Sequence, residues 1–109
     1  MKKILIVNES PVTKLMIKYS FFSEFNIIDA ENVNSALTCL NNDDIDLFLL
    51  DLKMPEKDGT LLVKEIRKNP RYSNTPIIML SQSSFSGINA WIINQNEVTK
   101  ILRTIKSYI

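Results

Sequence analysis

The sequence predicts a single domain with a doubly wound α/β fold, a parallel sheet of five strands in the order 2-1-3-4-5. Two patterns carry that expectation. Short apolar runs closed by turn residues alternate with segments whose apolar residues recur at helical spacing. The runs are too uniformly apolar for a strand with one wet face, and read as strands buried on both faces of a parallel sheet. A third observation modifies the fold: too little chain separates the last two strands for a helix between them.

The first strand spans Lys3–Val7 and closes on Asn8 and Glu9. Ser10 and Pro11 then supply an N-cap residue and a first-turn proline. Val12, Leu15, Met16, Tyr19 and Phe22 recur at helical spacing and give the first helix its expected apolar face. A second strand covers residues 25–30. Val33, Ala36, Leu37 and Leu40 mark a second helix, ended by the polar turn at residues 41–44. The third strand, residues 45–50, delivers Asp51 at its end, and Pro55 and Gly59 follow in a loop. Leu62, Val63 and Ile66 define a third helix, stopped at Asn69-Pro70. Residues 76–80 form the fourth strand and lead to Ser81. Residues 96–109 form a closing helix, with Val98, Leu102, Ile105 and Ile109 on one face.

Residues 89–93, NAWII, read as the fifth strand. A parallel crossover needs a dozen or more residues when it contains a helix. Only seven, residues 82–88, lie between Ser81 and this strand. Fully extended, they reach roughly 23 Å, enough to run back along a short strand without a helix. The fourth crossover helix is therefore expected to be missing. An antiparallel hairpin, or a fifth strand exchanged between two chains, are the alternatives.

Composition narrows the function. The 109 residues suit one domain and leave no room for a second; the closing helix reaches the last residue, so no output domain is expected. A net charge of +1 gives no basis for binding nucleic acid or anionic membrane. The apolar run at the N-terminus is too short for a signal peptide or a span. One cysteine, Cys39, rules out a disulfide framework and fits a cytoplasmic setting. The absence of histidine excludes His-based triads and His metal ligands.

The expected strand order makes the first and third strands neighbours at the topological switch point, where ligands bind. Glu9 and Asp51 would meet there, with Asn8 beside them. Two adjacent carboxylates repel, and a hard cation such as Mg²⁺ removes the conflict. A carboxylate beside such a cation can act as nucleophile toward a phosphoryl group. On the competing readings, Asp51 only starts a turn and Glu9 is a solvated acid.

The chain resembles the receiver domain of bacterial two-component response regulators, especially stand-alone single-domain members with a flavodoxin-like fold. The resemblance rests on ILIVNESPVTKLM, IDLFLLDLKMPEKDG, TPIIMLS and the G-x-x-A-W-I-I run that starts at Gly87, which together span essentially the whole chain. It implies that Asp51 is the phospho-acceptor. Glu9 and Asp51 would be Mg²⁺ ligands, with the backbone carbonyl of Lys53 as a further one and Asn8 acting through water. Ser81 would be the switch hydroxyl. Trp91 would be the aromatic that changes rotamer, or else an ordinary core aromatic.

Three departures mark an atypical member. Asn8 stands where the family has an acid, so Mg²⁺ would bind weakly. Asn94 replaces the usual Lys, losing a charge-assisted bond to the phosphoryl group. Lys53 could lean in as a substitute or remain solvated. The missing helix removes part of the surface that carries the signal to targets. The implied partners are a histidine kinase or phosphotransfer protein and a downstream protein target. Uncovered apolar side chains on the fourth and fifth strands would favour a homodimer or a client at that edge. The reading is an atypical receiver acting through protein contacts, in which phosphoryl acceptance is poorly coupled to switching, and not an enzyme beyond its own phosphorylation. A phosphate-independent pseudo-receiver adaptor and a phosphate sink are the alternatives. A small flavodoxin-like enzyme or nucleotide binder ranks lower, because the two glycines, Gly59 and Gly87, form no phosphate loop.

Overall fold

The computed structural model describes residues 1–7, 11–21, 23–42, 44–50, 56–80, 86–92 and 98–109, and of residues 11–14, 56–58 and 98 it describes the backbone alone. Five strands form one sheet: β1 (Lys3–Val7), β2 (Asn26–Ala30), β3 (Leu47–Leu50), β4 (Ile77–Met79) and β5 (Ala90–Trp91). Their order is β2-β1-β3-β4-β5 and every neighbouring pair is parallel. The helices are α1 (Pro11–Phe21), α2 (Val33–Asn42), α3 (Glu56–Lys68) and α4 (Val98–Tyr108), with a 3-10 turn at Pro70–Tyr72.

Strand side chains alternate between two cores. Leu5, Val7, Phe48, Leu50, Ile77 and Met79 pack against Ala36 and Leu40 of α2 and Leu62, Val63 and Ile66 of α3. Ile4, Ile6, Leu47, Leu49 and Ile78 pack on the other side against Ile17 and Phe21 of α1 and Ile101 and Ile105 of α4. With both faces covered, polar residues would have no wet face to occupy, which is why the buried stretches, residues 4–7 of β1 and Leu47–Leu50 of β3, are unbroken apolar runs. Local signals fix the ends of the elements. The Asn32 side chain accepts from the Ser35 amide (2.9 Å) and caps α2. Asn69 does the same for the 3-10 turn through the Arg71 amide (3.0 Å).

Tyr72, the last residue of that turn, reaches back into the first core. Its ring meets Phe48 edge-on at 5.4 Å, and its buried hydroxyl donates to the Leu40 carbonyl (3.1 Å).

The strand between residues 89 and 93 is shorter than expected, two residues, and it is parallel to β4 within the same chain, not a hairpin. The described part of its connection, residues 86–89, contains a turn and no helix. The described residues hold four α-helices, which fits the missing crossover helix expected from the spacing.

Three expectations about burial are corrected. On α1 the buried residues are Ile17 and Phe21, while Leu15 and Tyr19 are 60% and 76% exposed and Met16 is also exposed; Phe22 lies outside the described residues. The apolar count along this helix exceeds what one face can bury, so two interleaved i, i+4 sets compete and only one faces the sheet. On α4, Ile101 joins Ile105 in the core and Leu102 is only partly buried. The β4 side chains do not lose their cover: Ile77, Ile78, Met79 and Leu80 are fully buried. The α3 residues and Ile88 cover one face and α4 the other.

Candidate functional site

In a parallel sheet all carboxyl ends lie along one edge, and here all five end level. Val7 is paired with Leu50 across β1 and β3, which are neighbours although β2 intervenes in sequence. Leu50 is paired with Met79, and the Leu80 amide donates to the Leu50 carbonyl (2.7 Å). The Ile92 amide donates to the Met79 carbonyl (2.8 Å). The break in chain order between β2-β1 and β3-β4-β5 is the switch point at which such sheets hold ligands. Val7, Leu50 and Leu80 are fully buried, so the edge is reached by dry, rigid strand ends.

The residues that follow these ends are the ones singled out by sequence. Asn8, Glu9, Asp51, Lys53, Ser81 and Asn94 lie outside the described residues. Among the described residues, no group of three acidic, histidine or cysteine side chains could hold a metal. Trp91 is described. Its partner in register, Met79, belongs to the α2/α3 core, so Trp91 faces that side of the sheet, while Ala90 packs toward α1 and α4. At 43% exposed, Trp91 is not a core aromatic. It lies on the edge strand, on the side α3 covers.

A polar cluster beside Trp91 has no counterpart in the sequence reading. Arg67, in the last turn of α3, points its guanidinium at the start of β5 and donates to Gly87 O (2.7 Å from Nη2) and Asn89 Oδ1 (3.0 Å). Asn89 Oδ1 also accepts from the Ile77 amide (2.9 Å), completing the β4 ladder with a side chain. Partial burial holds the Arg67 pKa below its ordinary value, yet an arginine so placed stays charged at neutral pH. The available signals were weak ones, a glycine and an asparagine flanking Ile88; their arginine partner is twenty residues away.

Sequence comparison assigns the family. The response regulator receiver domain family matches residues 4–101, and the chain belongs to it. It is 38% identical over 82 residues to the transcriptional regulatory protein CpxR of Klebsiella pneumoniae, a match covering 74% of this chain and 34% of that protein. The chain thus spans about a third of that curated relative. Its fold matches chemotaxis response regulator CheY4 of Vibrio cholerae with a TM-score of 0.88 at 23% identity, covering 100% and 99% of the two chains. It also matches response regulator TrrA of Thermotoga maritima, crystallised in complex with Mg²⁺-BeF, with a TM-score of 0.81 at 25% identity and 100% coverage of both. The chain is a receiver domain of two-component signalling with the five-strand receiver sheet. No helix among its described residues is long and apolar enough to cross a membrane.

Proposed function

We propose that this receiver accepts a phosphoryl group on Asp51 from a histidine kinase or phosphotransfer protein, works through protein contacts, and couples acceptance poorly to switching. The observation that supports it is the level ending of β1, β3 and β4 at the switch point. Asn8, Asp51 and Ser81 each follow a strand's last paired residues by one or two Cα steps of about 3.8 Å. In the transfer, an Asp51 carboxylate oxygen forms the new P–O bond as the donor's bond to phosphorus breaks, and the donor keeps that electron pair. Ser81 donates a hydrogen bond to a phosphoryl oxygen. Asn94 offers a neutral bond where the family has a charged one. The donor set of Glu9, Asp51, the Lys53 carbonyl and Asn8 through water is all oxygen, which fits Mg²⁺ with fewer charges than usual and hence weak binding. Bound Mg²⁺ supplies neutralisation of the charge gathered on the phosphoryl oxygens.

Poor coupling draws support from the short connection to β5, seven residues between Ser81 and Asn89, and from Trp91, whose strand is tied from both flanking helix layers. The same observation favours a second reading, a phosphate-independent adaptor; a phosphate sink is the intermediate case. The chain then acts on no separate substrate. Partner contact has two candidate faces. Trp91 marks the β5 edge, where a homodimer or a client would dock. Leu15 and Tyr19, one turn apart and exposed on α1, offer another apolar face for a phosphodonor or target. A cytoplasmic location accords with a domain that meets kinases and response proteins.

The test is intact mass after incubation with Mg²⁺ and acetyl phosphate, with Asp51→Asn as control. A Mg²⁺-dependent phosphoryl adduct absent from the control is the expected result. If neither acetyl phosphate nor a phosphorylated histidine donor modifies Asp51, the adaptor reading replaces this one.

A further inference from the structure

A two-residue edge strand reached by a connection whose described part, residues 86–89, holds no helix has little to hold it. Strand β5 pairs with β4 only through Ile78↔Ala90 and Met79↔Trp91, with main-chain bonds from Asn89 to Ile77 (2.8 Å) and Ile92 to Met79 (2.8 Å). Short pairings of this kind are marginal in water. The seven residues 82–88 are too few for a crossover that would pack a helix over such a strand, so something else must hold it.

Arg67 does so with every nitrogen of its guanidinium. Toward β5, Nε (3.2 Å) and Nη2 (2.7 Å) donate to Gly87 O, and Nη2 donates to Asn89 Oδ1 (3.0 Å). Toward the segment that leads into β4, Nη1 donates to the carbonyls of Tyr72 (3.0 Å), Ser73 (3.3 Å) and Thr75 (2.7 Å). One planar fork therefore bridges the connection before β4 and the connection after it. Bonds from a charged donor are about twice as strong as neutral ones. Gly87 fits the arrangement: its φ of +85° is open to glycine, and a Cβ there would lie 3.4–3.5 Å from Val63 and Arg67. From the opposite layer, the Tyr108 hydroxyl of α4 donates to Asn89 O (2.9 Å). Asn89 is thus held by α3 through its side chain, by β4 through both amide groups and by α4 through its carbonyl.

We propose that Arg67 is a clasp that takes the place of the crossover helix, fixing β5 and Trp91 against α3, and that opening it frees residues 86–92 as a local unit while the rest of the sheet stays folded. This inference does not depend on phosphorylation of Asp51. A lysine at position 67 cannot replace the fork, because three donors on one nitrogen cannot reach Gly87 O and Thr75 O together.

The experiment uses the full chain and its only tryptophan, Trp91. Acrylamide quenching of Trp91 and amide exchange at Asn89 and Ile92 are measured in wild type, Arg67→Ala, Arg67→Lys and the control Ile17→Ala, which weakens the opposite core. Both Arg67 variants should quench more readily and exchange at Asn89 and Ile92 roughly tenfold faster or more. Ile17→Ala, which also weakens the core that holds Ile92, should speed exchange in β1 and β3 but leave Asn89 exchange and Trp91 quenching at wild-type values. Unchanged quenching and exchange in Arg67→Lys would overturn the clasp, and that variant decides the matter if Arg67→Ala does not fold. So would an equal response to Ile17→Ala, which would mean that β5 opens only with the whole molecule.

Discussion

Tyr72 joins three elements through one side chain: the 3-10 turn that carries it, Phe48 of β3 and the Leu40 carbonyl of α2. Removing its hydroxyl strands a buried acceptor while keeping the ring. Tyr72→Phe should therefore cost about 1–2 kcal/mol in urea unfolding with the slope unchanged. An unchanged midpoint would show that water satisfies Leu40 O. Single residues were legible in the sequence where their role is local. Pro70 as a helix stop is an example, because it acts on the residues just before it. Arg67 and Asn89 were not, since a side chain that serves main-chain carbonyls leaves no complementary residue type to notice. Asp51 stood out for the opposite reason, being the lone charge at the end of an apolar run.

Among the elements, β1 was readable to the residue, while β3 starts at Leu47, two residues later than expected. Asp46 interrupts the apolar run, and a strand buried on both faces tolerates no polar interruption. Helix α1 was readable as a helix but not in its orientation. Its apolar residues outnumber one buried stripe, and Ile17 with Phe21 occupies the core while Leu15 and Tyr19 stay in water. Ile17→Ala should destabilise the fold by roughly 2–5 kcal/mol. By contrast, Leu15→Ala should stay within about 0.5 kcal/mol of wild type. Equal losses in thermal or urea unfolding would mean that Leu15 is buried in solution. If α1 carries a partner face, Leu15→Ala and Tyr19→Ala should weaken phosphodonor transfer without altering stability. Transfer at the wild-type rate would move the partner face to the β5 edge.

On the scale of the whole molecule, the topology was legible because strand and helix alternate and the crossover rule leaves few alternatives. The shortened last crossover was legible by counting residues against reach. How the sheet tolerates it was not: the expected bare patch on β4 is filled by α3 and Ile88 on one side and by α4 on the other. Among the described residues of β4 and β5, Trp91 is the large apolar side chain left half-exposed. So small an apolar area gives weak self-association at most, and sedimentation at high concentration should show a monomer unless Trp91 is part of an interface. A dimer lost in Trp91→Ala would establish that edge as the interface.

The central claim is that this receiver takes up phosphate at one end of its sheet while β5 hardly responds. One titration tests it. Mg²⁺ and acetyl phosphate are added stepwise, the phosphorylated fraction is read by intact mass, and Trp91 emission is recorded on the same samples. The account predicts that the phosphorylated fraction rises, that Asp51→Asn abolishes the rise, and that Trp91 emission stays near its starting value throughout. Emission that moves in proportion to phosphorylation, or a chain that is never phosphorylated, would contradict it.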